Sequence, residues 1–586
     1  MIIDEYLWHI HIGDSTMSLS MFHNFCKNVL TLIGGRIVSL RLRLTNVIGG
    51  WSIISSSFRY HQTTLLQHLH LIDIKPDEFD KLLSSPLIKQ LHTLLVDVKQ
   101  NSLFKQQTVE GVYLTKACSK LPRLTICRLP FDICTKERNE LGKYSTIIEI
   151  SLPNILNTTH LRRLTIGMNT SYFLERLLLL IPFIEHLSIG VKDPDIKEND
   201  RINIIRLPVA VQPDRLLYLS RLSIDCANNN SFHRAISLLS SVFNRITHFS
   251  LKFEGYSYLS DPLIISGDTI QELCINRLNP LARYYLHLTF YINNDLEEKI
   301  IFNSFFKVPF INQRRPKVFI QETNHFNIGE IPHSFMVYTL PYNDKIFSSS
   351  LLTKDLEIYS QMSVNALDLF RHTDQLLLNG FVGNNYFSDL ANCRSSISSL
   401  VPWTQISKVF VCGTDFIKSG TLESILRMAS NVHTLEIWDV DGTLPRAILR
   451  NKNDVGTRIN EQIESLKIVD FTMELSRTER FCTRLYNQLP NLKTISFCIR
   501  YSDRLEEIQS SSITDDKNES TNGIIKIMHF LVDHFKQLVS IDIQFIEKSS
   551  FMSPYYPHLI RKQIYEKPLS RPNRLQCYHE TIQIWL

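Results

Sequence analysis

Basic side chains recur at one position of a repeated motif, and hydroxyls recur two residues on. The motif is apolar, two residues, Leu, one residue, apolar. The residue before its central Leu is His68, Arg123, Arg163, His186, Arg221 and His248, and the residue after it is His70, Thr125, Thr165, Ser188, Ser223 and Ser250. On a strand both positions point away from the face that carries the Leu. Strands stacked about 4.8 Å apart align them into a column of bases beside a column of hydroxyls. Guanidinium forks and hydroxyls suit carboxylate or phosphate groups, so the chemistry implied is anion binding. His9 and His11 in WHIHI, and His68 and His70 in QHLHL, stand two apart. That spacing puts both rings on one face of a strand and suits a metal, but no third ligand is pointed to, so surface pairs are the reading.

A different chemistry is suggested by LEIWDVDGTLP at 435–445. An apolar strand ending in Asp-x-Asp-Gly-Thr resembles the first motif of the haloacid-dehalogenase-like phosphotransferases. The resemblance implies a nucleophile at Asp439, a general acid/base at Asp441 and a bridging metal ion. The surrounding residues fit it poorly. A central parallel strand is buried on both faces and reads as a continuous apolar run, whereas His433, Thr434 and Glu436 interrupt this one. An unpaired Glu436 in such a sheet would carry a large desolvation cost. The nearby acid pair, Asp515 and Asp516, falls in a polar run, and a hydroxyl after an apolar run occurs at Thr472. Asp-Gly after a strand is ordinary turn chemistry, which is the preferred reading. The chain has no Gly-x-x-x-x-Gly-Lys-Ser/Thr, Gly-x-Ser-x-Gly or His-Glu-x-x-His.

The 586 residues exceed a typical single core unless they form an elongated array. Apolar content is 44 % and charged content 21 %, as in folded proteins, and a net charge of +5 does not by itself argue for nucleic acid. Eleven cysteines without a Cys-x-x-Cys pair read as reduced, inert thiols rather than a zinc site. FLERLLLLIPFIEHL at 173–187 is the best membrane candidate, and Glu175, Arg176, Pro182 and Glu185 break it. The opening residues lack a signal-peptide core. The expected location is cytoplasmic or nuclear.

The motif reads IVSLRL at 37–42, LQHLHL at 66–71, LHTLLV at 91–96, LPRLTI at 121–126, LRRLTI at 161–166, IEHLSI at 184–189, LSRLSI at 219–224 and ITHFSL at 246–251. It returns as VHTLEI at 432–437, IESLKI at 463–468, LKTISF at 492–497 and LVSIDI at 538–543, with the frame read as slipping by one residue in the last two. Stretches with three- and four-residue apolar spacing lie between: SYFLERLLLLIP, SFHRAISLLSSVFN, TLESILRMASN, RFCTRLYNQLPN and IIKIMHFLVDHFKQ. The clean repeats run roughly 25–30 residues. The prediction is an α/β fold: an irregular leucine-rich-repeat-like solenoid, parallel strands inside and helices outside, interrupted by a β-rich insertion.

These features together resemble the expanded invertebrate family of F-box proteins with degenerate leucine-rich repeats. The likeness rests on the motif series, on SFMVYTLPYNDKIF in the insertion, and on the closing LIRKQIYEKPLSRPNRLQCYHETIQIWL at 559–586. It implies a substrate receptor without catalytic residues, docked on the adaptor of a cullin-based ubiquitin ligase by an F-box of Leu-Pro-x-Glu pattern. Residues 1–36 lack that pattern and resemble the segment that follows it, so adaptor docking is expected only if an F-box lies upstream of Met1.

The expected divisions are an N-terminal cap at 1–36, a first arm at 37–290, a β-rich interruption at 291–360 with a hairpin, a second arm at 361–545 and a tail at 546–586. SSSITDDKNESTNG at 510–523 reads as a loose loop. The functional expectation is a non-catalytic protein-binding module with no cofactor and an acidic protein partner. The alternatives are the phosphotransferase above and a nucleic-acid binder, the latter motivated by Arg36, Arg41 and Arg43, by Arg314 and Arg315, and by the basic residues from Arg561 to Arg574.

Overall fold

The computed structural model describes residues 8–13, 17–45, 47–58, 65–98, 110–133, 158–193, 207–256, 263–292, 300–301, 303–305, 317–324, 333–342, 344–348, 370–379, 403–412, 419–438, 462–469, 475–500, 512–546, 555–578 and 580–586. It is a mixed α/β protein. Contacts divide it into two units. The first comprises residues 1–13, 25–45 and 49–340, and the second comprises 14–24, 46–48 and 341–586.

The first unit holds a twelve-stranded sheet. Its strands are β1 Trp8–Ile12, β2 Ile37–Arg43, β3 His68–Ile72, β4 Thr93–Asp97, β5 Ile126–Leu129, β6 Arg163–Met168, β7 His186–Val191, β8 Arg221–Cys226, β9 His248–Tyr256, β10 Arg283–Ile292, β11 Lys317–Asn324 and β12 His333–Leu340. β1 to β10 pair parallel in chain order. β12 then runs antiparallel to β10, and β11 antiparallel to β12. The expected hairpin is present, but it extends the first sheet, and the division falls after Leu340. Strand order follows the chain without the reversal that creates the ligand crevice of a doubly wound sheet.

Apolar residues two apart form the core-facing side. Leu40, Leu69, Leu94, Cys127, Leu164, Leu187, Leu222, Phe249 and Tyr284 align across nine strands, all buried. Each Leu or Phe of the series contributes about 1.5–3 kcal/mol on leaving water. Helices α1 Gly50–Phe58, α2 Pro76–Leu83, α3 Val112–Lys120, α4 Ser171–Leu180, α5 Asn229–Leu239 and α6 Gly267–Leu273 lie between strands. α5 packs on β7, β8 and β9 and buries Phe232, Ala235, Ile236 and Leu239.

Two devices fix the repeat. At most of these steps the carbonyl before one strand accepts two amides from the next strand's start. His92 O takes Thr125 N and Ile126 N, Thr125 O takes Arg162 N and Arg163 N, and Glu185 O takes Ser220 N and Arg221 N. Buried acids hold the helix N-termini, where amides lack intrahelical partners. Asp132 accepts from Tyr113 N and Leu114 N, and Asp193 from Ser171 N and its hydroxyl.

That staircase corrects one frame. LPRLTI does not form a strand with Leu124 at its centre. α3 ends at Lys120, and β5 begins at Ile126 with Cys127 in the central place. Cys127 serves as a small hydrophobe, so LTICRL, not LPRLTI, is the repeat.

The second unit holds a nine-stranded sheet: β13 Ile346–Ser348, β14 Gln375–Asn379, β15 Lys408–Cys412, β16 Thr434–Trp438, β17 Ser465–Val469, β18 Thr494–Arg500, β19 Ser540–Ile546, β20 Arg574–Cys577 and β21 Thr581–Trp585. β13 to β19 pair parallel in chain order, and β21 and β20 close it antiparallel. The same staircase recurs, with His433 O taking Glu464 N and Ser465 N. Leu466, Ile495 and Ile541 are in register, so the frame does not slip at LKTISF or LVSIDI. Helices α7 Ser419–Met428, α8 Leu475–Gln488, α9 Ser512–His534 and α10 Pro557–Glu566 belong to this unit, as does the short helix Leu19–Asn24.

The run at 512–523 is helical, not a loose loop. It lacks proline, and the apolar half of α9 anchors it through buried Ile524, Ile527, Met528 and Leu531. Helix propagation is cheap once a helix is nucleated, so the polar half continues. The residues read as a tail supply α10, β20 and β21. Trp585 is fully buried against Phe22, with ring centroids 5.2 Å apart, and its indole donates to Met17 O.

Candidate functional site

The open face of the first sheet carries the side chains opposite the apolar series. Arg163 stands across from His186, His186 from Arg221, Arg221 from His248, and His248 from Arg283. Five basic residues therefore line up on β6 to β10. The next row is Thr165, Ser188, Ser223, Ser250 and Tyr285, all half-buried. Arg163, Arg221 and Arg283 are exposed, and among the described residues none has a carboxylate partner. Glu185, in the turn before β7, faces Arg162 at 3.6 Å. Further along the face Asp225 stands across from Lys252.

The two imidazoles are kept neutral. Burial lowers the His186 pKa first, and the charges of Arg163 and Arg221 lower it further against a smaller opposing pull from Glu185. His248 is lowered by burial and then by Arg221 and Arg283. The fixed positive charges thus sit on every second strand, with neutral donor–acceptor rings between them.

Eight of the twelve residues read from sequence fall in these two rows: Arg163, Thr165, His186, Ser188, Arg221, Ser223, His248 and Ser250. Arg123 and Thr125 do not. Arg123 lies before β5 and donates to Gln90 Oε1 at 2.7 Å, and the Thr125 hydroxyl donates to His92 O at 2.9 Å. Ile126 and Arg128 hold the places expected for them, because the frame of β5 is shifted by three residues. His68 and His70 share the face but sit on β3, separated from the five-base row by Thr93 and Leu95 on β4 and by Ile126 on β5. His70 Nε2 lies 2.7 Å from Asp97 Oδ2, and Arg128 meets the same carboxylate. His9 and His11 are on β1, with Ser39 and Arg41 of β2 between them and the β3 pair. Among the described residues no three His, Cys, Asp or Glu side chains gather as a metal site requires.

Sequence reasoning missed Arg283 and Tyr285. RYYLHLTFYI places Tyr284 where the motif has its central Leu, yet its strict alternation buries Tyr284, Leu286, Leu288, Phe290 and Ile292, and that period marks a strand.

In the second unit two lysines of the face share one acid. Glu436 accepts from Lys408 Nζ at 2.7 Å, from Lys467 Nζ at 2.8 Å and from the Trp438 indole at 2.8 Å. Burial alone would raise its carboxyl, but the two ammonium groups outweigh it and hold the pKa down. The expected penalty for a buried Glu436 is met by pairing. Asp439 and Asp441 lie outside the described residues, as does Thr472. Cys26, Cys118, Cys127, Cys226, Cys274, Cys482, Cys498 and Cys577 are buried and in no disulfide, and burial pushes the Cys26, Cys118 and Cys482 thiols up to about 12. No described helix is long and apolar enough to cross a membrane. Comparison with family models and with curated proteins finds no match to this chain.

Proposed function

We propose that the chain is a non-catalytic protein-binding module, an irregular leucine-rich-repeat-like solenoid whose open first-sheet face receives an acidic partner. Its role resembles that of the substrate-recognition part of an F-box subunit of a cullin-based ubiquitin ligase. The observation that carries the binding role is the row Arg163, His186, Arg221, His248, Arg283 beside five hydroxyls, with three guanidinium groups lacking acids among the described residues. A polar sheet face needs no such sign bias. The chain-order parallel pairing and the carbonyl staircase support the repeat reading. The ligase link rests on the sequence resemblance alone, and no residue here is assigned to an adaptor.

Affinity capture tests both parts. The triple variant R163E/R221E/R283E should retain its melting temperature and lose acidic proteins that the parent chain captures. Retained capture rejects the acidic-partner reading. Recovery of the ligase adaptor with the parent chain would support the ligase link, and its consistent absence counts against that link alone.

A further inference from the structure

The spacing of the row restricts the shape of what it binds. Adjacent strands lie about 4.8 Å apart, so Arg163, Arg221 and Arg283, on β6, β8 and β10, repeat at about 9.6 Å. A polyproline-type segment advances about 3.1 Å per residue, so three residues cover about 9.3 Å. A fully extended strand covers about 10 Å in three residues but turns every third side chain to its opposite face, whereas the polyproline-type segment, with three residues per turn, keeps it on the same one. A helix rises about 1.5 Å per residue and returns to the same face after seven residues, about 10.5 Å on. Over two intervals the helix drifts from the row by about 2 Å and the polyproline-type segment by under about 1 Å. A distance of 2 Å separates a formed charge-assisted hydrogen bond from a lost one.

A second feature borders the row. Phe183 and Tyr218 lie in the turns that enter β7 and β8, three residues before His186 and Arg221. Their rings are 5.9 Å apart and are 36 % and 55 % exposed. The Arg162 guanidinium stacks over Phe183 at 5.3 Å. Exposed aromatics beside arginines are the usual composition of a binding centre.

We infer that the acidic partner docks as an extended segment with a carboxylate at every third residue. It lies across β6 to β10, its acids meet Arg163, Arg221 and Arg283, and intervening apolar side chains rest on Phe183 and Tyr218. This rests on the acidic-partner reading above and adds the register and conformation of the bound segment.

The test uses the full chain and fluorescein-labelled peptides in anisotropy titrations. The first peptide carries three Glu-Pro-Leu repeats. The second has the same composition with its three acids adjacent. The third is a helix-forming peptide with acids every seventh residue. The first should bind about tenfold tighter than either other peptide, the summed effect of three exposed charge pairs. R221E should remove that advantage, and F183S/Y218S should weaken the first peptide by about threefold, with both variants melting as the parent does. Equal affinities for the first two peptides overturn the three-residue register, and tighter binding of the helical peptide overturns the extended conformation. Tighter binding of inorganic polyphosphate than of any peptide overturns a protein segment as the ligand. If no peptide binds while R163E/R221E/R283E still abolishes partner capture, the segment proposal fails and the acidic-partner reading stands. If that variant captures normally, both fail.

Discussion

His70 Nε2 lies 2.7 Å from Asp97 Oδ2, and the two residues belong to neighbouring strands β3 and β4. Asp97 also takes Arg128 from β5, so one carboxylate quiets two bases on the early part of the face. Burial alone would raise the Asp97 pKa, but the His70 hydrogen bond and the Arg128 charge outweigh it and hold it low. Its folded pKa lies below its unfolded one, so its contribution to stability is present at neutral pH and is lost as the pH falls through the carboxylate range. The pair is partly exposed, so Asp97→Asn should cost about 0.5 kcal/mol or less in a urea melt. The same change should tighten acidic-peptide binding by uncovering Arg128 and His70. Unchanged affinity would show that binding is confined to β6–β10.

The row itself should sense acid. His186 and His248 are held below the ordinary imidazole range, so both are neutral at pH 7.5. Because folding lowers these values, the free protein loses stability as the pH falls through the histidine range. A bound carboxylate favours the charged rings, so affinity should run the other way and rise by about threefold or more between pH 7.5 and 5.5. Titration of an acidic peptide with the parent and with H186Q/H248Q checks this: the variant should give a flatter pH profile.

Glu436 is 6 % exposed and bonded by two lysines, so its removal strands two positive charges in a half-buried site. Glu436→Ala should destabilise the protein by about 2 kcal/mol, below the full cost of breaking a deeply buried pair because Lys467 is one-third exposed. Chemical denaturation measures it. Lys408→Met combined with Glu436→Leu should recover most of the loss.

The C-terminal residues are interior. Trp585 fills a site beside Phe22, Leu586 N bonds to Val539 O, and Leu19 N bonds to Leu586 O. Trp585→Ala should cost about 3–5 kcal/mol. Thermal melts followed by tryptophan fluorescence and by circular dichroism check it. A loss below about 1 kcal/mol would mean that this packing contributes little.

The strands that carried an aliphatic centre were legible, because Leu164 with Ile166, or Leu187 with Ile189, states both period and face. Cys127 was misread because Leu124 three residues earlier is the more hydrophobic candidate, and only the carbonyl of His92, just before the neighbouring strand, decides between them. β10 escaped because Tyr284 stands where the motif has its central Leu, while the strand itself alternates cleanly. Arg283 was lost with it, so sequence saw four bases of the five-base row. The polar start of α9 shows the converse error: its composition suits a loop, but packing further along the chain decides its state. The hairpin of β11 and β12 was legible from its punctuation. That its neighbour would be β10 was not, since pairing across an edge leaves no local trace.

Both sheets stop in the same way. β12 and then β11 turn back against β10, and β21 and then β20 turn back against β19. A parallel series that adds one strand per repeat contains no instruction to end, and its last rung is a template for another chain. Reversing direction at the final rung separates the length of each series from its termination. The outer rungs β11 and β20 then belong to hairpins, so a strand added beside either one would extend a hairpin and not the parallel series.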